Sequence, residues 1–259
     1  MSEIKKKTHS RKKAIISLVF AGVIILSAAV FFIYMENYYH ADNEALKALI
    51  SDENVTVTQT ESGWLFDGAG DNDLLIFYPG AKVEEQSYAP LMRSLSENGI
   101  DTYLVKMPFR FALFGINKAD DIIGSTDYAH YYVGGHSLGG AMSAVYASDN
   151  GEKLNGLVLL AAYPTKPLDN DLTEIIVYGS DDTVLNVEKV IEGRKFQTDN
   201  YTEYVIEGGN HAEFGNYGEQ KGDGQAKITA EKQQSEAVTL IIDKLLRKTD
   251  EKTLDDSSS

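Results

Sequence analysis

The chain has 259 residues, 43% of them hydrophobic, which is enough to bury one good-sized core with an appendage left over. It carries 24 basic and 39 acidic residues; with the first thirteen residues set aside, 18 bases face 38 acids, a balance that repels nucleic acid and anionic lipid headgroups. Cysteine is absent, which excludes disulfides and thiolate metal sites and suits a domain that folds after export.

Residues 1–13 form a basic tail containing Lys5, Lys6, Lys7, Arg11, Lys12 and Lys13. Directly after it, Ala14 to Met35 is an uncharged apolar run, AIISLVFAGVIILSAAVFFIYM. As a helix rising about 1.5 Å per residue it would reach about 33 Å, enough to cross a bilayer. The basic flank before it, against Glu36, Asp42 and Glu44 after it, predicts a cytoplasmic N-terminus and an exported remainder. A cleaved leader competes with this reading. The run exceeds the apolar core of a usual signal peptide, and no small-x-small site follows Phe32, so a single-pass, uncleaved anchor in the cell membrane is the expectation. A juxtamembrane segment at 36–53 would then lead into a folded domain at 54–248 and a disordered polar tail at 249–259.

Within the domain, a helix is expected at Asn43 to Ser51, then an antiparallel opening in which Val55 to Thr60 pairs with GWLFDG. From Asp73 onward, short apolar β-prone runs alternate with stretches of helical period, the pattern of a mostly parallel sheet with helices on both faces. The expected strands are Leu74 to Tyr78, Thr102 to Lys106, Tyr131 to Gly135, Leu157 to Ala161, Glu174 to Tyr178 and Glu203 to Ile206. Helices are expected near Tyr88 to Glu97, Lys118 to Ile123, Leu138 to Ser148 and Val187 to Lys195, with a last one from Thr229 to Leu246. The stretch between Tyr163 and Leu172 is short, which leaves no room for a large cap and predicts an open site.

Three strand ends carry chemistry. GGHSLGG places Ser137 on a sharp strand-to-helix turn, with Gly135 and Gly139 supplying clearance and the amide of Leu138 pointing at developing negative charge. A serine hydroxyl needs a base, itself oriented by a carboxylate. IIVYGSDDTV ends a later strand with Asp181 and Asp182, and YVIEGGNHAEFG ends the next with His211. His9 and His40 lie near the membrane, His130 precedes a strand, and His136 beside the serine should point away, so His211 is the candidate base. LLIFYPGAKVE offers Ala81 as a second oxyanion donor through its backbone amide. Each motif has a plainer reading, as a tight turn, a surface histidine, a helix cap or a loop; the order Ser, Asp, His at successive strand ends favours chemistry.

On Ser137, Asp182, His211 and the Pro79-Gly80 loop, the chain resembles the α/β-hydrolase superfamily, in particular small capless dienelactone-hydrolase-like and carboxylesterase-like serine hydrolases, over roughly residues 55–246. Pro79-Gly80 stands where relatives often carry His-Gly, and the cysteine nucleophile of dienelactone hydrolases proper has no counterpart here. The resemblance aligns Gly179 and Val184 with Asp182 as the acid, Asp181 remaining an alternative.

The resulting expectation is a membrane-anchored serine hydrolase acting outside the cytoplasm on a carboxylic ester, or else a thioester or amide, without a cofactor or metal. Acyl transfer by the same triad, or a surface binding module on a vestigial fold, are the alternatives. Phe109, Phe111 and Phe114 in MPFRFALFGIN are candidate walls for an apolar acyl group, although they could simply pack a loop on the core. The expected partners are a small ester or acyl substrate and the lipid bilayer through residues 14–35, with no nucleic acid.

Overall fold

A computed structural model describes the backbone of residues 2–256 and the side chains of residues 16–246. It forms two units, which meet in sequence between Tyr38 and Tyr39.

The first unit is one helix, α1 (Ser2–Glu36). Its segment Ile16–Glu36 contains an 18-residue stretch with a mean hydropathy of 2.8 and, among the described residues, is the one helix long and apolar enough to cross a membrane. Leu18, Val19, Phe20, Val23, Ile24 and Ile25 are all exposed, so the apolar surface runs round the helix and forms no one-sided stripe. The side chains of the basic tail lie outside the described residues.

The second unit is built on eight strands: β1 (Thr56–Gln59), β2 (Gly63–Asp67), β3 (Asp73–Tyr78), β4 (Asp101–Val105), β5 (His130–His136), β6 (Gly156–Leu160), β7 (Thr173–Gly179) and β8 (Tyr201–Ile206). They form one sheet in the order β1-β2-β4-β3-β5-β6-β7-β8. The antiparallel opening is present, since β2 runs antiparallel to both β1 and β4. Every other pairing is parallel.

Among the described residues, six α-helices accompany the sheet: α2 (Asn43–Lys47), α3 (Ala89–Glu97), α4 (Lys118–Ile123), α5 (Leu138–Asp149), α6 (Val187–Gly193) and α7 (Ala230–Asp256). Strand periodicity divides the core in two. Leu75, Phe77, Val158, Leu160, Ile175 and Val177 face the helices α3 and α7. Their neighbours Leu74, Ile76, Leu157, Leu159, Ile176 and Tyr178 face α4, α5 and α6. Burial on both faces explains why these strands read as unbroken apolar runs, each such side chain contributing about 1.5–3 kcal/mol. The edge strands β1 and β8 are largely exposed and correspondingly polar.

Helix α2 stops at Lys47, short of the expected Ser51, and two boundaries of the folded unit differ from the sequence reading. The compact unit begins at Tyr39, so residues 39–53 belong to it: Tyr39 makes a parallel bridge with Val83, and Ala45 of α2 is fully buried. Hydropathy alone misses this because many of the contacts are polar or only partly bury the side chain: the Tyr39 ring packs on Tyr217 at 5.5 Å, Ala48 and Leu49 lie against the core, and Arg93 donates to the Ala48 carbonyl at 2.9 Å. At the other end, α7 starts where expected, with the Thr229 hydroxyl accepting the Lys232 amide at 3.2 Å. It continues as helical backbone to Asp256, past the expected end at Leu246 and into the stretch read as a disordered tail; residues 257–259 lie outside the described residues. As the short stretch after Tyr163 suggested, no helix or strand intervenes between β6 and β7.

Candidate active site

Strand β5 ends at His136 and α5 begins at Leu138, leaving Ser137 alone on the turn with φ 54° and ψ −123°. Non-glycine residues hold such angles at a cost of about 1–3 kcal/mol, so the surroundings must impose them. They do. The Ser137 amide donates to the Leu160 carbonyl at 2.9 Å, and its own carbonyl accepts the Ala141 amide at 2.9 Å. The flanking glycines are required by close approach: a Cβ on Gly135 would meet the Gly139 carbonyl carbon at 2.7 Å, and one on Gly139 would collide with the Tyr78 and Pro79 carbonyls. Ser137 is half-buried.

Strands β7 and β8 end beside each other, and their loops touch because Gly179 packs directly on the Gly209 backbone. Between the two acids the geometry discriminates clearly. Asp182 Oδ2 accepts from His211 Nδ1 at 2.8 Å, with both side chains shielded from solvent. Its other oxygen accepts the amides of Val184 and Leu185, each at 2.8 Å, which fixes the carboxylate plane. Asp181 turns away to pair with Lys227 at 2.8 Å. With its Nδ1 proton committed to Asp182, the His211 ring presents Nε2 as its basic nitrogen. That atom is buried and, among the described residues, has no hydrogen-bond partner, so a Ser137–His211 hydrogen bond is not formed here. Catalytic contacts of this kind often tighten only around a bound substrate.

The loop after β3 is tied down on each side of Ala81. The Gly80 amide donates to Tyr88 Oη at 3.1 Å, and the Lys82 amide donates to the Arg110 carbonyl at 2.9 Å. Tyr39 donates to the Lys82 carbonyl at 2.7 Å, and Glu84 donates back to Tyr39 at 2.9 Å. Among the described residues no protein acceptor takes the amide of Ala81, or that of Leu138 at the start of α5.

His136 departs from expectation. Instead of pointing away, its ring packs against that of His211, with centroids 4.6 Å apart, and against Phe214 at 5.7 Å. Its Nδ1 lies 2.8 Å from Tyr88 Oη. Burial first, then the neighbouring His211 ring, hold His136 well below the ordinary histidine pKa despite an opposing backbone contact, so it stays neutral. Tyr88 is the residue that sequence reasoning missed; it lies 48 positions from its histidine partner and carries no motif.

Phe109, Phe111 and Phe114 form a ring cluster, with centroid separations of 5.9 and 6.2 Å to Phe114. Phe109 and Phe114 are about half exposed, and the segment lies alongside the Ala81 loop through the Arg110–Lys82 bond. The glycine-rich stretch after His211 borders a polar cavity of about 430 Å³ lined by Asn210, Ala212, Glu213 and Asp223 among others. None of Ser137, Asp182 and His211 lines it. Asp223 joins the two loops of the acid and the histidine, accepting the Ala212 amide at 2.9 Å and the Thr183 amide at 3.4 Å. Among the described residues no group of three or more His, Cys, Asp or Glu side chains is disposed to hold a metal ion.

The fold resembles solved structures at low sequence identity. A predicted CIB-like hydrolase from Thermoplasma acidophilum superposes with a TM-score of 0.56 at 14% identity, covering 73% of this chain and 98% of its own. Est1E from Butyrivibrio proteoclasticus gives 0.51 at 16% identity, covering 74% and 99% respectively. At such identity the likeness speaks for the fold alone. No curated protein matches the chain by sequence. The family model described as "Alpha/beta hydrolase family" matches residues 74–235, more than half of the chain and the span from β3 to the first turns of α7, with all three strand-end residues inside it. The chain therefore belongs to the α/β hydrolase family.

Proposed function

We propose that the protein is a membrane-anchored serine hydrolase that works outside the cytoplasm and cleaves a carboxylic ester through an acyl-enzyme. Ser137 Oγ attacks the ester carbonyl while His211 Nε2 takes its proton, and Asp182 stabilises the resulting imidazolium. The oxyanion is held by the amides of Ala81 and Leu138. Collapse of the tetrahedral intermediate breaks the bond to the alcohol, which leaves with the proton from Nε2. Water then repeats the sequence on the acyl-enzyme and frees the acid and Ser137. Phe109, Phe111 and Phe114 would flank an apolar acyl or alkyl group, and α1 would hold the enzyme in the bilayer with its basic end inside.

One observation carries this reading. The Asp182–His211 hydrogen bond of 2.8 Å, shielded from solvent, leaves Nε2 as the open nitrogen, and His136, packed on that imidazole, immediately precedes the strained Ser137. A fluorophosphonate probe tests it. The full-length protein is expected to be labelled covalently and Ser137→Ala is not; a folded protein that takes no label would overturn the proposal. A series of p-nitrophenyl esters of increasing chain length would then define the acyl preference. Impermeant biotinylation of lysines 47–244 on intact cells should succeed if the domain faces outward.

A further inference from the structure

The hydrolase reading leaves a buried hydroxyl unused. Tyr88 is fully enclosed at the end of a short 3-10 turn, Glu85–Tyr88, just ahead of α3. Its oxygen accepts the Gly80 amide at 3.1 Å and stands 2.8 Å from His136 Nδ1. The Gly80 bond uses one lone pair of the phenol oxygen and leaves its hydrogen available for His136 Nδ1, while the opposite His136 tautomer would donate from Nδ1 to the second lone pair; in either case the hydroxyl links the Gly80 amide to the His136 ring.

The consequence is geometric. Gly80 immediately precedes Ala81, His136 immediately precedes Ser137, and the His136 ring packs on His211 at 4.6 Å. One hydroxyl thus meets the chain at the oxyanion loop and at the elbow, and reaches the imidazole through a single ring. Arg110 secures the far side of the loop at Lys82, and the Gly80 carbonyl, which shares a peptide plane with the Ala81 amide, accepts the Val83 amide at 3.4 Å, so Tyr88 and Arg110 brace the peptides on either side of that plane. No room is wasted at the junction: a Cβ on Gly80 would meet Tyr88 Oη at 2.8 Å and His136 Nδ1 at 3.0 Å.

We infer that Tyr88 is a positioning residue of the active site, whose hydroxyl aligns the Ala81 amide and the His136–His211 ring pair for the transition state. The inference rests on the serine-hydrolase reading and concerns alignment only; Tyr88 touches no reacting atom. Removing an oxyanion donor outright typically lowers kcat by about 10²–10³, so misaiming one should cost less, about tenfold.

The test uses the full-length protein and p-nitrophenyl butyrate, with the fluorophosphonate probe counting competent serines. Tyr88→Phe keeps the ring and removes the hydroxyl. It is expected to lower kcat per labelled serine about tenfold and leave KM within about twofold, since ground-state binding is untouched. Gly80→Ala keeps the hydroxyl but wedges the junction open, and it should lower the same quantity; it decides the question should Tyr88→Phe not fold. A merely structural role would reduce the number of labelled serines and leave kcat per labelled serine at the wild-type value, and that result overturns the inference. Wild-type protein that takes no probe overturns the hydrolase reading and this inference together, whereas labelled wild type with fully active variants removes only the inference.

Discussion

The two edges of the sheet use the same kinds of residue to opposite ends. At the amino edge the parallel strands open on buried acids, Asp73 on β3, Asp101 on β4 and Glu174 on β7. Each is tied to the neighbouring chain: Asp73 accepts from Tyr132 Oη at 2.8 Å, Asp101 from the Gly68 amide and Tyr128 Oη at 2.8 and 2.9 Å, Glu174 from the Thr198 amide at 3.0 Å. At the carboxyl edge, the acid Asp182 is held as firmly, but the histidine it orients keeps a nitrogen open. Backbone strain follows the same division. Among the described residues, the non-glycine residues with positive φ are Lys82, Phe109, Arg110, Ser137 and Ala161, all in loops leaving the carboxyl ends of β3 to β6. Groups tied to neighbouring strands and loops make a foundation even where one oxygen, Glu174 Oε1, is left without a partner among the described residues, while strain beside an open nitrogen makes a place where something else can bind.

If that division is right, substitutions at the two edges should separate activity from stability. The largest effect is expected for Asp182→Asn, which keeps the shape but favours the wrong imidazole tautomer; kcat should drop by roughly 10⁴-fold with little change in the melting temperature. Asp181→Asn, at the neighbouring position, should stay near wild type, and equal losses at both would refute the assignment of Asp182.

Next in size is a pH effect at the amino edge. Burial, with a smaller contribution from Glu203, pushes the Glu174 carboxyl up to about 7 from its ordinary 4.5, against the Thr198 amide bond. Between those values the folded protein keeps a proton that the unfolded chain releases, so stability should fall as pH rises through this window and level off above it. The full difference is of order 3 kcal/mol. Glu174→Gln should abolish this slope, read as a gap between variant and wild type that widens in urea melts from pH 5 to pH 8.

Asp101→Ala comes third. It leaves the half-buried Gly68 amide and Tyr128 phenol without their acceptor and should cost about 2 kcal/mol of stability, with kcat unchanged at a temperature where the variant is folded. The smallest effect belongs to the aromatic loop. Phe109→Ala with Phe114→Ala should raise KM for long acyl esters by about tenfold, equivalent to about 1.4 kcal/mol, and barely alter acetate esters. Equal effects on both would show that the rings merely support the loop.

The sheet and the elbow are legible in the sequence because their causes are local. Apolar runs report burial on both faces, and the glycines around Ser137 report backbone contacts within a few residues. The acid pair is not separable in the same way. What distinguishes Asp182 from Asp181 is a pair of amides at 184 and 185 on one side and Lys227, 46 residues away, on the other. The contact between Tyr88 and His136 is invisible for the same reason, since a tyrosine at the end of an ordinary turn gives no sign of the ring it will meet. The orientation of His136 escapes a reading of the motif alone because the side chain alternation along β5 sends it across the sheet edge toward the β8 loop, where His211 lies.

The bridge between Tyr39 and the loop of Lys82 bears on how the protein can be handled. Hydropathy would advise cutting a soluble fragment at about residue 54, where the first strand is near. Such a cut would delete Tyr39, and with it the backbone bonds that brace Lys82 and Glu84, as well as buried Ala45. The fragment could retain its sheet, its serine and its histidine and still turn over slowly, for want of a residue that belongs to no motif. A soluble form worth assaying therefore starts no later than Tyr39, immediately after the helix that would tether it.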